Sequence, residues 1–154
     1  MRAAVLTIST TRARGEGEDV SGTALVELCR AAGLDTVHHV LPDDRAAIAA
    51  ALTRLADEDD VRFVFTTGGT GMTADDVTPE ATRDVIDRDA PGYAETIRAE
   101  SRNHTPLGIL TRGVSGIRGR TLIVNFPGSP RAVRQSWPVV EPTIKHAGDT
   151  LERS

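Results

Sequence analysis

A single cysteine among 154 residues rules out an internal disulfide. Cys29 sits beside Leu28 and Ala32 in a helical pattern, and it reads as a small core residue rather than a nucleophile. Aromatic residues make up only 3% of the chain, so Leu, Val, Ile and Ala must supply most of the core. Lysine is nearly absent: Lys145 is the only one, and the net charge is −4. That balance argues against a nucleic-acid partner, which selects for a basic face. No apolar run approaches the ~18 residues of a membrane-spanning helix. The opening MRAAVLTIS is too short and too strand-like for a secretory signal, so the expected setting is the reduced cytoplasm. The four histidines show no metal-ligand spacing with cysteine. Neither G-x-G-x-x-G nor a P-loop Gly-Lys-Ser/Thr occurs.

What the chain does have is an alternation of short apolar runs with helical patterns. Ala3 to Ile8, Thr36 to Leu41 and Val61 to Thr67 read as strands. The segment Ser9 to Asp19, with Gly15 and Gly17, reads as a loop. A helix follows to Ala32, with Ser21 as the expected cap and Gly33 as the stop. Pro42-Asp43-Asp44 opens a second helix to about Asp57, with Ile48, Leu52 and Leu55 on one face. Thr78-Pro79-Glu80 is a third start: a hydroxyl expected to cap, then proline at the first helical position. Tyr93 to Asn103 is helical, Ile109 to Asn125 reads as two strands of a hairpin, and a last helix runs to the C-terminus. Pro138 and Pro142 predict that it is kinked or in two pieces. Strands separated by helices define an α/β fold, a mostly parallel sheet covered on both faces, with a late antiparallel hairpin. No repeat or linker interrupts it, so residues 1–154 read as one domain.

In such a sheet ligands sit beyond the carboxyl ends of the strands. Three loops are expected to meet there, at 9–19, 42–44 and 68–76, with 127–130 as a fourth. Gly68-Gly69-Thr70-Gly71 allows backbone N–H groups to approach an anion closely; a plain tight turn explains the same glycines. Asp43, Asp44, Asp75 and Asp76 flank this loop. Carboxylates repel a phosphate by about 4 kcal/mol at 4 Å in an effective dielectric of 20, and a bound Mg²⁺ reverses the sign. Glycines plus separated aspartates therefore point to a Mg²⁺-nucleotide site. The alternative stays open that Asp43 only caps a helix and Asp76 only stabilises a turn. Arg112, Arg118 and Arg120 are candidates for an anionic substrate, or simply solvated hairpin arginines.

The run TTGGTGMTADDVTPEAT (Thr66 to Thr82) resembles the signature of the molybdopterin-binding family of the MoaB/Mog type. Four other segments agree in order: SGTALVELCRAAG, LPDD, APGYAE and ILTRGVSGIRGRTLIVNFPGSP. The resemblance covers nearly the whole chain. It implies a three-layer α/β/α sandwich and a homo-oligomer, a trimer or in some members a hexamer. It also implies adenylylation of molybdopterin by Mg-ATP with release of pyrophosphate, ahead of a downstream enzyme that inserts molybdenum. By the same resemblance Asp43 and Asp76 position Mg²⁺ and ATP, and Gly68, Gly69, Thr70 and Gly71 line the phosphate and pterin cradle. Thr111, Arg112 and Gly116 match a stretch that holds the pterin, and Pro127, Gly128 and Ser129 a corner that closes the pocket. Asp19, Ser21 and Gly22 match a D-x-S-G piece after the first loop. The sequence departs from the family pattern at Thr10 and Thr11, where an aspartate is common, at Asp75, where a basic residue is common, and at Thr111, usually serine. The second reading is a non-catalytic molybdopterin binder, carrier or scaffold.

Overall fold

The computed structural model describes all of residues 1–154. Six strands form one sheet: β1 (Arg2–Ile8), β2 (Asp35–Leu41), β3 (Phe63–Thr67), β4 (Arg88–Asp89), β5 (Ser115–Arg118) and β6 (Thr121–Phe126). Their order is β2-β1-β3-β6-β5-β4. The first four in this order run parallel, while β5 is antiparallel to both β6 and β4. The helices are α1 (Thr10–Ala13), α2 (Val20–Ala31), α3 (Arg45–Asp57), α4 (Thr78–Val85), α5 (Pro91–His104) and α6 (Pro130–Glu152).

The three layers follow from side-chain alternation along the central strands. Ala3 and Val5 of β1, Phe63 and Phe65 of β3, and Leu122, Val124 and Phe126 of β6 join one buried cluster under α2, α5 and α6. Ala4, Leu6, Ile8, Val64 and Ile123 point the other way and meet Ile48, Leu52 and Leu55 of α3 and Ala81 and Val85 of α4. Four of the five aromatic residues sit together on the first face. Phe65 stacks on Phe63 at 5.8 Å and meets Phe126 and Trp137 edge-on at 5.7 and 5.6 Å. Cys29 lies in the same cluster, and burial pushes its thiol up to about 12, which removes it from nucleophilic chemistry.

Several local expectations are corrected. The 9–19 segment contains a short helix, α1, capped by Ser9. α2 is capped by Asp19, whose side chain accepts from Gly22 N; Ser21 already lies inside the helix. α3 begins after Asp44, which caps it through Ala47 N. Thr78 does not cap α4, because its hydroxyl donates to Gly68 O instead. Residues 106–110 form a 3₁₀ turn, so the hairpin strand starts only at Ser115, and the two-residue β4 pairs beyond it. α6 runs as one helix through both prolines. Pro138 and Pro142 are exposed and one turn apart, so the carbonyls they leave unpaired are positioned to be met by water.

The aromatic cluster yields a stability prediction. Phe65→Ala leaves a cavity at 0% exposure and lowers unfolding stability by about 3–5 kcal/mol. Urea denaturation measures this, and a loss under about 1 kcal/mol contradicts the packing described.

Candidate active site

After β1 the chain adds β2 on one side and later returns to place β3 on the other. The loops leaving β1 and β3 therefore diverge, and a crevice opens between the carboxyl ends of these strands. A cavity of about 510 Å³ fills it, a size suited to a small-molecule site. Its lining comes from all four expected segments: Ser9, Arg12, Glu18 and Asp19 of the first, then Asp43, the β3 end with Gly68, Gly69 and Asp76, and the corner with Gly128 and Pro130; Val20 and Ser21 at the start of α2 add to it.

Glycine is required at the β3 end. Gly68 and Gly69 have φ of 100° and 68°, a region side chains avoid. A Cβ on Gly68 would collide with the Ile8 carbonyl oxygen of β1, and one on Gly69 with the Thr78 hydroxyl. The loop is held from behind by hydroxyls: Thr78 Oγ1 donates to Gly68 O at 3.0 Å, and Thr82 Oγ1 to Thr78 O at 2.9 Å. Buried Asn125 donates to Thr66 and Thr82 while accepting from Val114 N. Thr67 Oγ1 ties the loop to Pro127 O at 2.7 Å.

The two aspartates converge on this cavity and are oriented alike. Asp43 Oδ2 accepts from Thr10 N at 3.1 Å and Thr10 Oγ1 at 3.0 Å. Asp76 Oδ2 accepts from Thr73 N at 3.0 Å and Thr73 Oγ1 at 2.8 Å. In each carboxylate one oxygen is anchored and Oδ1 has no protein donor. Asp43 is thus not a helix cap; Asp44 takes that part. The donor set is hard oxygen, and no three His, Cys, Asp or Glu side chains are close enough together to hold a metal ion by themselves. Such a site fits Mg²⁺ shared between carboxylate, water and phosphate better than an all-protein metal cage.

The remaining predicted residues divide. Asp19 lines the cavity, but its carboxylate is engaged by Gly22 N, Thr7 Oγ1 and the neighbouring His38 ring. Ser21 also lines it, whereas Gly22 is buried below, where a Cβ would strike Thr7 and Asp19. Gly128 abuts Gly68, Pro127 contributes a carbonyl, and Ser129 caps α6 through Ala132 N. Thr70 is buried and meets the Thr111 hydroxyl at 3.3 Å; Gly71 packs over the Asp76 carboxylate. Thr111 and Arg112 line a second cavity of about 610 Å³, formed with α5 residues such as Ala94 and Arg98 and not lined by the glycine loop. Gly116 reaches neither cavity: it sits in β5 against Ile86 and Arg88 O, where no Cβ fits.

Arg112 is engaged with the protein. It donates to Gly71 O and Asp76 O, both at 2.7 Å, and forks onto Glu80 with two 3.0 Å bonds. The guanidinium staples the 71–76 segment that follows the glycines to α4. Arg118 likewise pairs with Asp57 and Val85 O, so it is not a free anion receptor. Sequence reasoning missed Glu80, Thr10 and Thr73 as partners, because each acts on a residue brought near by a turn or by another element.

The chain thus carries a glycine-cradled, acid-lined cleft at the switch point of a three-layer α/β/α sandwich. The family described as "Probable molybdopterin binding domain" matches residues 4–146, and the chain belongs to that family. Among its relatives, the molybdopterin adenylyltransferase of Helicobacter pylori strain J99 is 36% identical over 96% of this chain and 85% of its own length. The molybdopterin adenylyltransferase of Escherichia coli K12 is 37% identical over 88% of this chain and 71% of its own. The crystal structure of the molybdopterin biosynthesis enzyme MoaB from Thermus thermophilus superposes with a TM-score of 0.92 at 38% identity, covering 99% of this chain and 97% of that one.

Hydrogen bonding from Arg112 holds the Glu80 carboxyl below its usual range, and Glu80 in turn raises Arg112. A depressed carboxylate adds stability above its unfolded value and loses it as pH falls through the folded one. Glu80→Gln is therefore expected to be less stable than wild type by about 1 kcal/mol at pH 7, a half-exposed pair being worth no more. The gap should close as pH drops below the ordinary carboxylate range. A gap independent of pH in urea titrations contradicts the staple.

Proposed function

We propose that the protein adenylylates molybdopterin with Mg-ATP. A terminal phosphate oxygen of molybdopterin attacks the α-phosphorus of ATP, the bond to the bridging oxygen of the β-phosphate breaks, and pyrophosphate leaves with the electron pair. The observation that carries this reading is the convergence of Asp43 and Asp76, each with one free oxygen, over the side-chain-free backbone of Gly68 and Gly69. The family and the relatives' names support the same substrate and reaction class. A Mg²⁺ ion bound there supplies charge neutralisation between carboxylate and phosphate.

The protein's own part is positioning. Phosphoryl-type transfer needs little covalent chemistry, and aligned reactants with preorganised charge account for most of its rate. Thr10 and Thr73 fix the aspartates before ligand arrives, so little reorganisation remains at the moment of transfer. The glycine loop brings backbone to phosphate, and the second cavity, lined by Thr111 and Arg112, has room for a pterin. Exposed Leu107, Ile109 and Leu110 on the 3₁₀ turn support self-association of copies, with a trimer as the form the family resemblance implies.

Asp43→Asn and Asp76→Asn each keep an acceptor oxygen for the neighbouring threonine but remove the charge. Each is expected to fold as wild type and to lose pyrophosphate release by at least about 100-fold, the scale of removing one preorganised electrostatic group. Steady-state turnover with molybdopterin and Mg-ATP measures it. Wild-type turnover in either variant rejects the assignment, and pterin binding without turnover in the unmodified protein favours a carrier.

A further inference from the structure

Four carboxylates line the main cleft, those of Glu18, Asp19, Asp43 and Asp76, against one cationic side chain, Arg12. Arg12 is half-buried, whereas Thr11 and Ala13 on either side of it are exposed. No carboxylate pairs with it. Nη1 donates to the Glu16 carbonyl oxygen at 2.8 Å, and Nη2 and Nε carry no protein partner. The backbone is shaped around this guanidinium: Gly17 has φ of 73°, and a Cβ there would collide with Arg12 Nη1. A guanidinium packed against a left-handed glycine, with two donor nitrogens free at the wall of an acidic cleft, is arranged to receive an anion.

We infer that Arg12 is a phosphate-binding residue of the cleft, packed on Gly17, and that it contacts the polyphosphate of the nucleotide in the cavity it shares with Gly68 and Gly69. The inference rests on the adenylyl-transfer reading and deepens it by naming the cation that, with the metal, offsets the four carboxylates. Arg112 does not supply that charge, since its fork is closed on Glu80.

The test is calorimetric titration of Mg-ATP and of magnesium pyrophosphate into wild type, Arg12→Gln, Arg12→Lys and Gly17→Ala, at several NaCl concentrations. Circular dichroism and melting temperature establish that each variant folds. Arg12→Gln is expected to bind both ligands about 10- to 100-fold more weakly, the value of a charge-assisted contact. Its affinity should also fall less steeply with salt, because a screened ionic contact is gone. Arg12→Lys should be intermediate. Gly17→Ala, which displaces the guanidinium end without removing its charge, should fall between wild type and Arg12→Gln. Unchanged affinity in Arg12→Gln overturns the inference, as does weaker binding with the wild-type salt dependence. Wild-type protein that binds neither ligand overturns the adenylyl-transfer reading itself, and the role of Arg12 with it.

Discussion

The site depends on one steric constraint: at the end of β3 there is no room for a Cβ. Gly68 presses its backbone against the Ile8 carbonyl of β1, and Gly69 presses against the Thr78 hydroxyl. Both residues use left-handed backbone angles to do so. Any other residue would drive its side chain into β1 or α4 and push the turn away, whereas two glycines let the bare backbone of the turn line the cavity. The position of Asp76, the start of α4 and the closing corner at Gly128 all follow from it.

Rigidity is supplied around the turn by groups that were individually hard to value. The Thr78, Thr82, Asn125 and Thr66 side chains are linked by hydrogen bonds behind the loop, and no buried side-chain nitrogen or oxygen is left without a partner. A fully satisfied network in a low-dielectric interior holds its geometry, whereas a half-satisfied one would destabilise it. Arg112 does the same from outside by gripping Gly71 O and Asp76 O while forked on Glu80. The cleft is thus preorganised, with two aspartates aimed and anchored through threonines before any ligand is present. That division of labour suits a transfer reaction in which charge and alignment matter more than a protein nucleophile.

The layers were legible because the central strands alternate two buried faces and the helices repeat at 3.6 residues. The position of the cleft was legible for the same reason: a parallel sheet with loops of this composition has few places to bind a ligand. Convergence of residues as distant as Asp43 and Asp76 also followed, from topology rather than from local pattern. Exact caps did not. Asp19 took the place expected of Ser21, and Thr78 turned inward to Gly68, because hydrogen-bond partners from other strands outcompeted the local backbone. Arg112 and Gly116 carry signature motifs, yet one staples a loop and the other lets β5 approach Ile86. A motif records that a residue type is needed without saying whether ligand or fold needs it. The continuity of α6 through two prolines depended on their both facing solvent, which periodicity alone does not weigh.

The central claim is that this cleft transfers an adenylyl group to a pterin phosphate and does not hydrolyse the nucleotide. Incubation with molybdopterin, Mg²⁺ and ATP labelled at the α-phosphate tests it directly. The account predicts that label moves onto the pterin with one pyrophosphate released for each label transferred. Label recovered only as free AMP, or remaining in ATP while pterin is bound, contradicts it.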